Sequence, residues 1–104
     1  MTKLPKPKKA TKNKQQRINI EANKRLKKIY QEKGILTCEA KLRGCMKTFA
    51  LSFHHRFPRY FYYNRPDLLV DFQQSILVCA NCHQKLQQDN TLSAHTFHKL
   101  RPVL

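Results

Sequence analysis

Residues 75–86, SILVCANCHQKL, change character at Cys79. The first part is a short apolar run with strand character, and from Cys79 onward the pattern turns into a helix. Cys79 and Cys82 form a C-x2-C pair, a tight turn whose backbone can aim both sulfurs at one ion. His83 follows at once, so ligation of Cys82 would also set the position of the neighbouring imidazole.

Working outward, the other two cysteines lie upstream in CEAKLRGC, Cys38–Cys45. This C-x6-C spacing is looser than the usual two to four intervening residues, but the two pairs together can close a four-sulfur tetrahedral Zn²⁺ site. The alternatives are two disulfides, or cysteines serving as small buried apolar groups. A chain of 104 residues buries too little apolar surface to be comfortably stable without a staple. No signal-peptide core follows the N-terminus, and no run approaches the roughly 18 apolar residues of a membrane span. The chain therefore reads as soluble and cytoplasmic, where thiols stay reduced and metal ligation is favoured over disulfides. With no open coordination position such a zinc is structural, and it would supply about 10 kcal/mol or more to folding.

The formal net charge is +15. Residues 1–33 carry twelve lysines and arginines against Glu21 and Glu32. That imbalance implies a polyanionic partner, because neutralising each phosphate releases condensed counterions. Nucleic acid is the expected polyanion, and a merely solvated basic tail is the bland alternative. A membrane surface is disfavoured, since a polybasic segment without a lipid or an apolar wedge binds weakly.

Residues 1–14 read as a disordered basic arm. Over 15–34 the residues Ile18, Ala22, Leu26 and Ile29 make one stripe of a basic amphipathic helix, capped by Gly34. Lys24, Arg25, Lys27 and Lys28 occupy its other faces as candidate phosphate contacts. The compact region is 35–92, with strand character in KTFALSFHH, and 93–104 is a tail with a short helix ending before Pro102. In the connection RYFYYNR, Arg59–Arg65, the expectation is that Phe61 and one or two of Tyr60, Tyr62 and Tyr63 pack into the core. A base-stacking surface is the other reading of that run.

FHHRFPR, Phe53–Arg59, places two histidines side by side. Neighbouring strand residues point to opposite faces, so His54 and His55 can share a site only near a strand end or bulge. One of them with His83 would bind a divalent ion, leaving the other as a general base. Arg56 and Arg59 would clamp adjoining phosphates.

CEAKLRGC, FHHRFPR and LVCANCHQKL, in this order and spacing, resemble the zinc-stapled branch of the HNH endonuclease superfamily, particularly small phage-type HNH proteins. The resemblance covers about Cys38 to Gln88. It implies a small α+β fold in which a ββα-metal motif grips one catalytic ion, here stapled by the four cysteines and preceded by the basic helix and arm. It implies His55 as general base, and His54 and His83 as ligands of Mg²⁺ or another divalent metal. Gln74 stands where the family has its middle Asn, with Asn64 as a substitute, and Gln87 stands where related proteins carry a further histidine. His95 or His98 would be the third ligand if one folds back. The implied activity is metal-dependent hydrolysis of DNA phosphodiesters, cutting or nicking, with a phage packaging or host protein as a further partner. Two other classes stay open: a non-catalytic zinc-stapled nucleic-acid module, and a degenerate HNH fold acting through a protein.

Overall fold

The computed structural model of the protein describes residues 14–102. The expected disordered arm lies outside the described residues, except for Lys14, which opens the first helix. Within them the fold is a small α+β unit with four helices and a two-stranded antiparallel sheet.

Helix α1 spans Lys14–Glu32 and buries Ala22, Leu26 and Tyr30. The buried stripe keeps a spacing of four, so Tyr30 sits beneath the helix while Ile29 lies half-buried beside it. Gly34 stops α1 in the left-handed region at φ +74°. The Ile35 N–H reaches the Tyr30 carbonyl at 2.9 Å and the Gly34 N–H the Gln31 carbonyl at 3.1 Å. This paired closure of the last turn is the reason glycine suits that position.

Residues 35–51 form an irregular loop that carries Cys38 and Cys45. Strand β1 is confined to Ser52–His55, shorter than the strand-like stretch of the sequence. Lys47 at φ +52° and Ala50 at φ +49° take left-handed backbone, which no extended strand accommodates. Strand β2, Ser75–Val78, pairs with β1 in the register Phe53 to Leu77 and His55 to Ser75. Between the strands run a 3₁₀ turn at Arg59–Tyr62, the short helix α2 at Pro66–Leu69, and a 3₁₀ turn at Phe72–Gln74. Pro66 starts α2 where a missing N–H costs nothing. Helix α3, Ala80–Gln88, is capped by the Cys79 sulfur, and α4, Asn90–Leu100, by the Asp89 carboxylate.

All four residues of β2 are buried because both faces of the strand are covered. Ile76 and Val78 pack with Cys38, Cys79, Cys82, Leu86 and Phe97. Leu77, on the opposite face, packs with Leu26 and Tyr30 of α1. A third cluster joins Ala22 of α1 to Tyr62 and Leu69. Burying side chains of this size contributes about 2 kcal/mol each.

Two expectations need correction. The region after residue 92 is no appended tail: α4 begins at Asn90 and puts Phe97, fully buried, into the cysteine-lined core. Its helix does end before Pro102, at Leu100. In the aromatic run only Tyr62 is buried, while Phe61 remains 47 % exposed. With three residues per turn, a single 3₁₀ turn directs one aromatic of the run inward. Tyr62 is the one whose hydroxyl finds partners there, the Phe57 N–H at 3.2 Å and the Gln74 Oε1 at 3.0 Å.

Candidate metal centre and histidine cleft

The cysteine pairs meet where the irregular loop crosses the N-terminus of α3. The sulfurs of Cys38, Cys45, Cys79 and Cys82 all lie within 4.8 Å of one another, and all four cysteines are free. Tetrahedral zinc with bonds of about 2.3 Å requires sulfurs ~3.8 Å apart, so the cluster fits such an ion with little adjustment. Backbone donors already point at the sulfurs: Met46 N–H to Cys79 at 3.3 Å, Cys82 N–H to Cys79 at 3.4 Å, and Lys47 N–H to Cys45 at 3.4 Å. Burial acts to raise the Cys79 thiol, but the N–H donors of Cys82 and Met46 and the neighbouring sulfurs together hold it at about 6. Burial pushes Cys82 up, and the neighbouring sulfurs of Cys79 and Cys38 add to the rise. These four residues are positioned to hold a metal ion.

Helix α3 also anchors the loop that carries Cys45. The Asn81 side chain donates to the Gly44 carbonyl at 2.7 Å, and Lys85 donates to the Arg43 carbonyl. Gly44 has φ +80°, and a Cβ there would stand 2.7 Å from Asn81 Nδ2. Glycine suits both the backbone angle and the close approach.

The three histidines come together at the end of β1 beside α3. His54 and His55 are the last two residues of the strand, where alternation leaves them on different sides but a single opening reaches both. With His83, Arg59 and the α3–α4 residues Gln87, Asn90 and Ser93, they line a cleft of about 330 Å³. The rings of His54 and His83 stand edge to face with centroids 5.2 Å apart. His83 Nδ1 is 2.7 Å from Ser52 Oγ, and His54 Nε2 is 2.8 Å from Ser93 Oγ. Each imidazole is thus oriented through one nitrogen and keeps the other for a ligand. Burial pulls His54 down to about 4, helped by the nearby His83 and His55, and burial and Arg59 lower His83. Both rings are therefore neutral near pH 7, the state in which imidazole binds metals.

His55 is held differently. Its Nε2 lies 3.0 Å from the Leu69 carbonyl, which can only accept, so Nε2 carries the proton and Nδ1 keeps its lone pair. Burial lowers its pKa, overcoming the opposing pull of that carbonyl, with Arg59 and His83 adding to the lowering. The ring packs edge-on against Tyr62, centroids 5.5 Å apart. Gln74 acts through that tyrosine: its side-chain oxygen accepts from the Tyr62 hydroxyl, and its backbone carbonyl accepts the Arg56 N–H at 2.9 Å. A neutral imidazole with a fixed tautomer is able to accept a proton.

The remaining candidates divide. Arg59 is exposed at the cleft, whereas the Arg56 guanidinium is drawn inward, donating to the Gln73 carbonyl at 3.1 Å and the Arg101 carbonyl at 2.7 Å. Arg56 therefore braces the strand end against α4, although it still borders the cleft. Lys24, Arg25, Lys27 and Lys28 are exposed on α1, with Arg25 3.8 Å from Glu21. Asn64, His95 and His98 are exposed and lie outside the cleft wall. Among the described residues no second group of three or more His, Cys, Asp or Glu side chains converges as the cysteines do. Ser52, Ser93 and the Leu69 carbonyl went unpredicted, because hydroxyl and carbonyl partners at these separations leave no motif.

Comparison with protein families, with curated proteins and with solved structures returns no match for this chain. No helix among the described residues is long and apolar enough to cross a membrane.

Proposed function

We propose that this chain is a metal-dependent DNA endonuclease or nickase of the HNH type, stapled by structural zinc on Cys38, Cys45, Cys79 and Cys82. The observation that carries the reading is the shared cleft of His54, His55 and His83, with His55 fixed in the tautomer of a base. His55 Nδ1 takes the proton of a water as its oxygen attacks phosphorus in line with the departing bridging oxygen. His54 and His83 are the residues that would hold a divalent ion such as Mg²⁺, which when bound supplies charge neutralisation at the phosphate and leaving group. Arg59 pairs with a phosphate beside the cleft, and the lysines and arginines of α1 add sequence-independent affinity that weakens with salt.

A second reading, a non-catalytic zinc-stapled module that binds nucleic acid or recruits a protein, is favoured by one observation: among the described residues only the four cysteines converge as a group of three or more metal-ligating side chains, and the histidines form no such group. Incubation with supercoiled plasmid and Mg²⁺, Mn²⁺ or Ni²⁺, beside EDTA controls, separates the two. The nuclease reading expects metal-dependent nicking that is lost in His55→Ala. Nicking with none of the metals, or equal nicking by the variant, overturns it.

A further inference from the structure

The segment Phe57–Tyr63 carries more exposed aromatic surface than a small domain has reason to leave uncovered. Phe57 is 43 % exposed, Tyr60 70 %, Phe61 47 % and Tyr63 54 %, while Tyr62 alone turns inward. Phe57 and Phe61 lie against each other with ring centroids 4.6 Å apart. Exposed aromatic rings gathered in one short segment, two of them in contact, suit a place of interaction better than a packing role.

Its surroundings decide the partner. Phe57 and Pro58 form part of the wall of the histidine cleft, so the aromatic surface begins where that cleft ends. Arg59 lines both that cleft and the adjoining recess against Gln16, Asn19, Ile20 and Asn23 of α1. Aromatic faces interleaved with an arginine, beside a helix rich in exposed lysine, suit a strand that offers both base faces and phosphates. Paired bases inside a duplex keep their faces stacked and unavailable, whereas unpaired bases present theirs.

We infer that Phe57, Tyr60 and Phe61 form a stacking platform for unpaired DNA bases next to the histidine cleft, so that the chain prefers single-stranded or forked DNA over uninterrupted duplex. This rests on the DNA-binding part of the function proposed above and names its substrate class. A phosphate of the strand sits at Arg59, and the adjacent base lies on the platform. Recognition is tolerant of sequence, because every base has a π-face.

The test measures binding of zinc-loaded protein, without added divalent metal, to oligo(dT), to a matched duplex and to a duplex with an unpaired arm. Tyr60→Ala should weaken binding to the single strand and the fork by about five- to 100-fold, and duplex binding by less than about twofold. Tyr60→Trp introduces a tryptophan into a chain that has none, and its emission should be quenched by oligo(dT) but not by duplex. Thermal melts verify that both variants stay folded. Equal losses on all three DNAs, or an unquenched tryptophan, overturn the inference. So does concentration-dependent dimerisation that Tyr60→Ala abolishes, which would assign the surface to a second copy of the chain. Plasmid nicking is scored separately. Nicking without single-strand preference removes the platform and keeps the nuclease, and Tyr60-dependent single-strand binding without nicking does the reverse.

Discussion

Replacing Arg101 with Met should unfold much of what the short sheet holds together. The Arg101 side chain is 5 % exposed and that of Glu39 11 %, and their Nη2 to Oε1 distance is 2.8 Å. The same guanidinium donates to the Phe72 carbonyl at 3.1 Å, the Leu100 carbonyl at 3.0 Å and the Tyr30 hydroxyl at 3.3 Å, and it lies 3.7 Å over the Phe72 ring. Glu39 in turn closes the free edge of β2: its carboxylate accepts the Leu77 N–H at 2.9 Å and its own N–H reaches the Leu77 carbonyl at 2.8 Å. Tyr30 and Ser75 complete the node at 2.7 Å. Methionine keeps the apolar stem and removes the charge, leaving Glu39 buried without its cation at a cost of about 3–5 kcal/mol. With a urea slope of about 1.5 kcal/mol per M, the unfolding midpoint of the zinc-loaded protein should fall by roughly 2–3 M. Adding Glu39→Gln removes the stranded charge, so the double variant should regain about 1–2 kcal/mol over additivity. A single-variant loss under about 1 kcal/mol, or two losses that simply add, would refute the reasoning that this node is a coupled buried pair.

The cysteine cluster should bind about one zinc per chain, and a strong chelator or Cys82→Ser should abolish cooperative unfolding; full retention of a sharp thermal transition after metal removal would contradict the staple. Acid should weaken the fold through His54, whose value of about 4 lies below its ordinary 6.5, so the unfolded chain binds the proton first as pH falls. That contribution is fully present above pH ~6.5 and is lost towards pH ~4; solvent around the partly exposed ring reduces its size to about 1–2 kcal/mol. Urea midpoints at pH 7.5 and 5 should therefore converge in His54→Gln, and an unchanged gap between them would count against the assignment. Tyr62→Phe strips the hydroxyl that joins Phe57 to Gln74 and should cost about 1–3 kcal/mol. Gln74→Leu made in the same chain should add little to it, since both changes act on one half-buried contact; additive losses in chemical denaturation would separate them.

Which parts of this protein were legible in its sequence follows from the range of the forces involved. The stripe of α1, the Gly34 stop, the turn between Cys79 and Cys82 and the placement of His83 after it are set by spacing along a short stretch of chain. Local backbone geometry converts such spacing directly into position. The two cysteine pairs were legible as a cluster for a chemical reason, since four thiols in so short a chain have few other uses. By itself the sequence thus determined the basic helix, the strand leading into α3, the sulfur frame and the candidate histidines. Only the tertiary structure decided that Glu39 and Arg101, 62 positions apart, meet at the free edge of β2. It also decided that α4 belongs to the core, that Tyr62 and not Phe61 turns inward, and that Arg56 braces carbonyls rather than standing free. These outcomes depend on which buried polar group finds a partner when distant segments close on one another, and no periodicity records that. The same holds for His55: the sequence marked it only as one of two adjacent candidate histidines, and the Leu69 carbonyl, supplied by α2, is what selects its tautomer.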